Sequence, residues 1–306
     1  MDVPTCAPII NLNDEKIPTC YSKEDLIFIA KQYNKNNKND KINLKLSKEK
    51  LWLQLKLKNK DNCKNNEYCW IKNNFKNINN TYTKSKLDNI KQKFRPLKPS
   101  SWKKNPNDWL DTFNILFVMK QYESKYNNFK FIGVFPIDFM TKIGNTCISD
   151  IMCNLNILEL YNKGIYKLGI VLNLDKSWQS GSHWTSIAIN TNPSSVNFGF
   201  YYYDSAAPLL KNIPKEVKEL FDILKKQITI SKKDNINNKL IKNSDKFEFK
   251  FNIIKHQYKT SECGMFGIYF LDKFIKNINI EKIVNDSKLN DQLVEKYRNK
   301  FFTSDN

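Results

Sequence analysis

Apolar and polar positions follow two rhythms along this chain, with a change near residue 100. Ahead of it, "SKEDLIFIAKQY" places a Ser cap before apolar residues at helical spacing and predicts an amphipathic helix. "LSKEKLWLQLKLK" is a second helical candidate, although its alternating tail also fits a strand. Asn-rich stretches separate these pieces. The segment "FRPLKPSSWKKNPNDW" holds three prolines and reads as an ordered connector, because Pro disfavours helix at itself and at the residue before it.

Beyond the connector, "NDWLDTFNILFVMKQYESKY" predicts a helix with an Asn or Asp cap. "FKFIGVFPIDF", "YKLGIVLNLD", "HWTSIAIN", "NFGFYYYDS" and "FEFKFNIIKH" are rich in β-branched and aromatic residues and predict strands. "PKEVKELFDILKKQI" predicts a helix between the last two, with Pro at its first turn. "CGMFGIYFLDKFIKN" is apolar nearly all round, the mark of a buried helix. The fold class is therefore α+β: a central mixed sheet of about five strands flanked by helices, preceded by a mainly helical extension. The division expected is a basic N-terminal arm over 1–98 and a catalytic domain over 99–306.

Composition changes this picture in two places. Lys and Arg number 50 against 31 Asp and Glu, a formal charge of +19. Residues 1–100 hold 21 of the former and 10 of the latter, so +11 lies there. Such a balance suits contact with nucleic acid, an anionic surface or an acidic protein. A chain dominated by Lys and Asn also follows from an AT-rich coding sequence, and charge by itself indicates capacity rather than use. No stretch approaches the roughly 18 apolar residues that span a bilayer, and the N-terminus lacks the pattern of a secretory signal. The seven cysteines are odd in number and scattered, which suggests reduced thiols in a reducing compartment. Cys63 and Cys69, like Cys147 and Cys153, are six apart. That spacing does not fit zinc, and only two histidines exist to complete a site. No metal is expected.

Four short pieces carry chemistry. His183 stands at the mouth of a predicted strand, and Asp204 at the end of the next. Gln257 lies six residues before Cys263, which opens the buried helix. Attack by a thiol on a carbonyl needs a thiolate, a proton shuttle and donors for the developing oxyanion. A helix N-terminus favours the thiolate. His183 fits the general base and later the acid for the leaving amine. Asp204 fits the group that fixes the imidazole tautomer, and Gln257 and the Cys263 amide fit the oxyanion donors. Gly264 would let a substrate backbone approach closely. Taken singly, each residue has an ordinary explanation. A cysteine in an apolar helix is commonly a small core residue, a His–Trp at a strand edge is commonly structural, and Asp204 fits a turn. The order His, Asp, Gln and Cys-Gly sets them apart. His256, beside Gln257, reads as structural or surface.

That order resembles the superfamily of SUMO proteases and the adenoviral protease. The resemblance rests on "HW" (His183, Trp184), "YYDS" (Tyr202 to Ser205) and "Q…CG" (Gln257, Cys263, Gly264). The family's "WLND" helix start is matched by Trp109, Leu110, Ile115 and Met119, with Thr112 where the family has Asp. Within the superfamily, "HQYKTSECG" and "GIVLNLDKSWQSGSHW" resemble the polyprotein-processing proteases of large DNA viruses, of asfarvirus and giant-virus type. Asp204 replaces an Asn found in the asfarvirus enzyme.

The resemblance implies a cysteine endopeptidase that cuts viral structural precursors after Gly-Gly type sites during virion maturation. Trp109 would be the lid of a tunnel too narrow for a Cβ, and Trp184 and Gly264 would contact substrate. It implies action at the assembly site in the host cytoplasm and in the virion. No cofactor is needed for the chemistry, although DNA or a peptide is a conceivable activator. The basic N-terminal region is then a candidate for nucleic acid. Two other readings stay open. One is an isopeptidase acting on ubiquitin or a ubiquitin-like modifier. The other is an inactive nucleic-acid-binding virion protein, against which stands the survival of all four chemical positions.

Overall fold

The computed structural model describes residues 6–7, 17, 19–64, 66–76, 79–123, 125–207, 213–230 and 238–303. They form two compact units, residues 1–98 with 300–306 and residues 99–299. Residues 300–303, expected with the second unit, thus group with the first: Thr303 exchanges backbone hydrogen bonds with Pro96 and Lys98.

The first unit is helical: α1 (Lys23–Asn36), α2 (Lys48–Lys58), α3 (Lys60–Cys63), α4 (Glu67–Asn74) and α5 (Thr81–Lys91). The Ser22 signal is realised as a capping box, Ser22 and Asp25 each serving the other's backbone amide. The ambiguous second segment is a helix, with Ser47 as its cap. Leu26, Ile29, Leu51, Leu55, Trp70 and Ile90 close its core.

In the second unit, α6 (Thr112–Glu123) leads into β1 (Phe129–Pro136). A small hairpin of β2 (Lys142–Ile143) and β3 (Thr146–Cys147) follows, then α7 (Asp150–Cys153) and α8 (Ile157–Asn162). Next come β4 (Lys167–Asn173), β5 (Trp184–Asn190), β6 (Gly199–Tyr203), α9 (Lys215–Ile230), α10 (Lys239–Lys242) and β7 (Phe249–Phe251). The chain closes with α11 (Cys263–Ile275), α12 (Ile280–Val284) and α13 (Asp291–Phe301). The five-stranded sheet has the order β1-β4-β5-β6-β7, parallel at its two outer pairs and antiparallel within, so the expected mixed sheet is found.

Alternation along the strands divides the sheet into two packed faces. Ile187, Ile189, Phe200 and Tyr202 join Val217, Leu220 and Leu224 of α9 in one core. On the other face, α11 lies along β5. Tyr203 stacks on Phe270 with ring centroids 4.6 Å apart. A Cβ on Gly267 would stand 2.6 Å from Ser186 Oγ, so glycine permits this close approach. The largely apolar character of α11 follows: its residues from Cys263 to Asp272 are all buried.

The cysteine reading is corrected here. Six of the seven pair as disulfides, Cys6–Cys20, Cys63–Cys69 and Cys147–Cys153, with Cα separations of 5.2, 5.4 and 6.5 Å. A disulfide requires two Cα atoms within about 4.4–6.8 Å with their Cβ atoms turned toward each other, a condition that sequence spacing does not report. Cys263 is the one free thiol. Among the described residues no helix is long and apolar enough to cross a membrane.

Candidate active site

Antiparallel pairing of β5 with β6 brings the start of one strand to the end of the other, and α11 begins at the same end of the sheet, with Gly264 against Trp184. His183 immediately precedes β5 and Asp204 immediately follows β6. His183 Nε2 donates to Asp204 Oδ1 at 2.7 Å. The same ring interacts with the thiol of Cys263, the first residue of α11. Because Nε2 is committed to Asp204, Nδ1 is left for sulfur. Burial disfavours the charged imidazole, but the hydrogen bonds with Asp204 and Cys263 outweigh it and push the His183 pKa up to about 10.

Asp204 is itself held. Its Oδ1 also accepts from Ala206 N at 2.8 Å. Its backbone amide donates to Asn252 Oδ1 at 2.9 Å, and its carbonyl accepts from Asn252 Nδ2 at 2.7 Å. Asn252 is buried and follows β7 directly. Nothing in its spacing marked it, since its partners are main-chain atoms 48 residues away. Asn252→Ala is expected to cost about 1–3 kcal/mol of stability for the orphaned backbone groups. If Asp204 orients the reacting imidazole, kcat should also fall by up to roughly 10², as a misplacement of about 1 Å does. Urea unfolding and steady-state kinetics check the two effects separately.

Gln257 is fastened to the turn that follows Asp204. Its backbone amide and that of His256 both donate to Ser205 O at 2.9 Å. Ser205 Oγ donates to Gln257 Oε1 at 2.6 Å, and Gln257 Nε2 donates to Lys259 O at 2.7 Å. One of the two amide hydrogens is thereby used and one remains. His256 is wholly buried, stacks on Tyr203 and shares its Nδ1 with that residue's hydroxyl at 3.1 Å. It is structural, and burial lowers its pKa.

The two histidines give opposite pH dependences. His183, raised in the fold, contributes stability that is fully present below its unfolded value of 6.5 and lost as pH rises through about 10. His256, depressed, contributes stability that is present above 6.5 and lost as pH falls below it. Urea midpoints measured from pH 5 to 10 should therefore fall at both ends. His183→Gln should flatten the alkaline limb and leave the acid limb.

The three expected substrate contacts differ in exposure. Trp109 is 40% exposed, but Trp184 is buried and its indole Nε1 donates to Leu110 O at 2.9 Å. A Cβ on Gly264 would meet Leu110 Cβ at 3.1 Å and Trp184 Cδ1 at 3.2 Å. Trp184 and Gly264 thus seat the 109–110 segment beside the site. The helix start that lacks the usual Asp at 112 is capped instead by Asp111. Its carboxylate accepts from Asn114 N at 2.7 Å while Asn114 Oδ1 accepts from Asp111 N at 3.1 Å.

The model of the C-terminal catalytic domain of the Ulp1 protease family matches residues 168–306. The chain is 28% identical to a protein of Acanthamoeba polyphaga mimivirus named as a thiol protease, over 94% of this chain and 90% of that one. Two crystal structures of the ASFV protease align at a TM-score of 0.58, with 17% and 16% identity. They cover 98% and 99% of this chain and 96% and 97% of their own. At that identity the likeness is one of fold, and it spans both units. The matched stretch contains His183, Asp204, Gln257 and Cys263, so the likeness to the Ulp1 protease family's catalytic domain falls on every residue of the site.

Proposed function

We propose that the chain is an endopeptidase in which Cys263 attacks the substrate carbonyl, His183 moves the proton and Asp204 orients the imidazole. The observation that carries this reading is the single imidazole shared between Asp204 and the only free thiol, at the first residue of a buried helix. A protonated imidazole is the counter-charge for a thiolate and then the acid for the leaving amine. The Cys263 amide and the second hydrogen of Gln257 Nε2 are the donors for the oxyanion.

The substrate class we favour is a viral structural polyprotein cut after Gly-Gly type sequences, at the assembly site in the host cytoplasm and in the particle. Trp109 stands exposed on a segment fixed against both Trp184 and Gly264, the neighbours of His183 and Cys263. An aromatic roof held this close leaves room for residues without a Cβ. Relatives from two large DNA viruses that match along nearly the whole chain support the viral setting. A peptide library centred on Gly-Gly-X tests this, wild type against Cys263→Ala. Cleavage at Gly-Gly by wild type alone supports the reading, and a preference for bulky residues before the scissile bond overturns the substrate class.

The family name favours a second reading, an isopeptidase for a ubiquitin-like modifier. Labelling of Cys263 by a ubiquitin-like electrophilic probe, without cleavage of linear peptides, would select it. The +11 of residues 1–100 supports nucleic acid as a partner of the arm. Binding that weakens steeply with added salt is the expected sign.

A further inference from the structure

Helix α13 presents three charged residues at spacings of four and three, hence on one face: Asp291, Glu295 and Arg298. Each grips a segment around the site. Asp291 Oδ2 accepts from the amides of Tyr258 and Lys259 at 2.9 and 3.2 Å, just after Gln257. Glu295 Oε1 takes Lys259 Nζ at 2.5 Å and Asn107 Nδ2 at 3.4 Å.

Arg298 holds the most. Its Nε and Nη2 form a fork on Glu262 Oε2 and Oε1 at 3.0 and 2.9 Å. Nη1 donates to Asp108 O at 2.9 Å and Nη2 to Asn107 O at 3.3 Å. The guanidinium lies over the Trp102 ring, 4.3 Å from its centroid. Both members of the pair are buried, Arg298 at 4% exposure and Glu262 at 0%.

Glu262 directly precedes Cys263, and its side chain makes no capping bond to α11. A buried carboxylate beside a thiolate is repulsive unless neutralised, and removing one partner of such a pair strands the other. A lysine would supply the charge but neither the planar fork nor the extra donors that reach the two carbonyls.

We infer that Arg298 is a positioning residue: through Glu262 it fixes the N-terminus of α11 that carries Cys263, and through Asn107 and Asp108 it fixes the segment that carries Trp109. This rests on Cys263 being the nucleophile. The charged groups around Glu262 are Arg298, Glu295 and Asp291 of α13 and Lys259 of the preceding loop. The one that faces Cys263 is His183.

The test uses the full chain and the variants Arg298→Gln, Arg298→Lys and the double variant Glu262→Gln/Arg298→Gln, each checked for folding by thermal melting. Two readouts are taken. One is the rate of alkylation by iodoacetamide against pH, which reports on Cys263 because the other cysteines are in disulfides. The other is kcat and KM on a peptide that wild type cleaves.

Arg298→Gln is expected to move the alkylation profile to higher pH and to lower kcat by roughly 10². Arg298→Lys should keep the profile and still lose kcat/KM, because charge is retained and the fork is not. The double variant should recover the profile without recovering kcat/KM. Should Arg298→Gln fail to fold, the lysine variant decides: wild-type kinetics there overturn the inference. A folded Arg298→Gln with unchanged profile and kinetics overturns it as well, whatever its melting temperature. An inert Cys263 in wild type is a separate outcome, which removes the nucleophile assignment and this inference with it.

Discussion

Cys263→Ala is expected to remove turnover, with a loss of about 10⁶ in kcat, the size seen when a nucleophile is deleted from a coupled triad. The size follows from covalent catalysis: without sulfur no acyl intermediate forms, and neither His183 nor the oxyanion donors can act on it. No second thiol can substitute, because the other six cysteines are in disulfides. The fold should survive. Cys263 is buried at the first position of α11, and exchanging its sulfur for hydrogen deletes about one methyl-sized group, on the order of 1 kcal/mol. Peptide hydrolysis alongside urea unfolding separates the two effects. Wild-type turnover in the alanine variant would end the cysteine mechanism outright.

Gln257→Ala is expected to lower kcat by roughly 10²–10³ with KM little changed, since an oxyanion donor acts on charge that exists only in the transition state. The structure adds a second consequence. Ser205 Oγ loses its acceptor and Lys259 O loses its donor, so about 1–3 kcal/mol of stability should go as well. Gln257→Glu separates these roles. It keeps an acceptor for Ser205, removes the amide hydrogens and adds negative charge where the oxyanion would develop. It should therefore be no more active than the alanine variant while retaining more stability. Matched kinetics and denaturation on both variants measure this. An unchanged kcat in either would take Gln257 out of the mechanism.

Local regularities were legible from the sequence where one residue's preference decides the outcome. Ser22 and Ser47 start helices as side-chain caps, and the β-branched and aromatic runs of β4, β5 and β6 pair as a sheet. The nearly continuous apolar surface of α11 marked it as buried. His183, Asp204 and Cys263 were legible for a related reason: each stands at an element boundary, and boundaries leave marks in sequence, whereas Gln257 lies in the loop between β7 and α11 and was legible only by its spacing from Cys263. Less visible was everything held by main-chain atoms far along the chain. Asn252 serves the backbone of Asp204, and Trp184 binds a carbonyl 74 residues away. Arg298 reaches Glu262 and the carbonyls of Asn107 and Asp108. A main-chain partner has no residue identity, so no motif records it.

The cysteines show the same limit from the other side. Spacing along the chain suggested scattered thiols, but pairing depends on Cα separation in space, which the packing of helices and hairpins sets. The sequence by itself determined the sheet-and-helix pattern and the order of His183, Asp204, Gln257 and Cys263, because local preference and element boundaries are written residue by residue. Only the tertiary structure decided that one imidazole lies between Asp204 and Cys263, and that Gly264 and Trp184 seat the Trp109 segment. It alone also buried the charged pair of Glu262 and Arg298 behind the thiol. Those facts are distances between groups remote in sequence, and folding alone sets them.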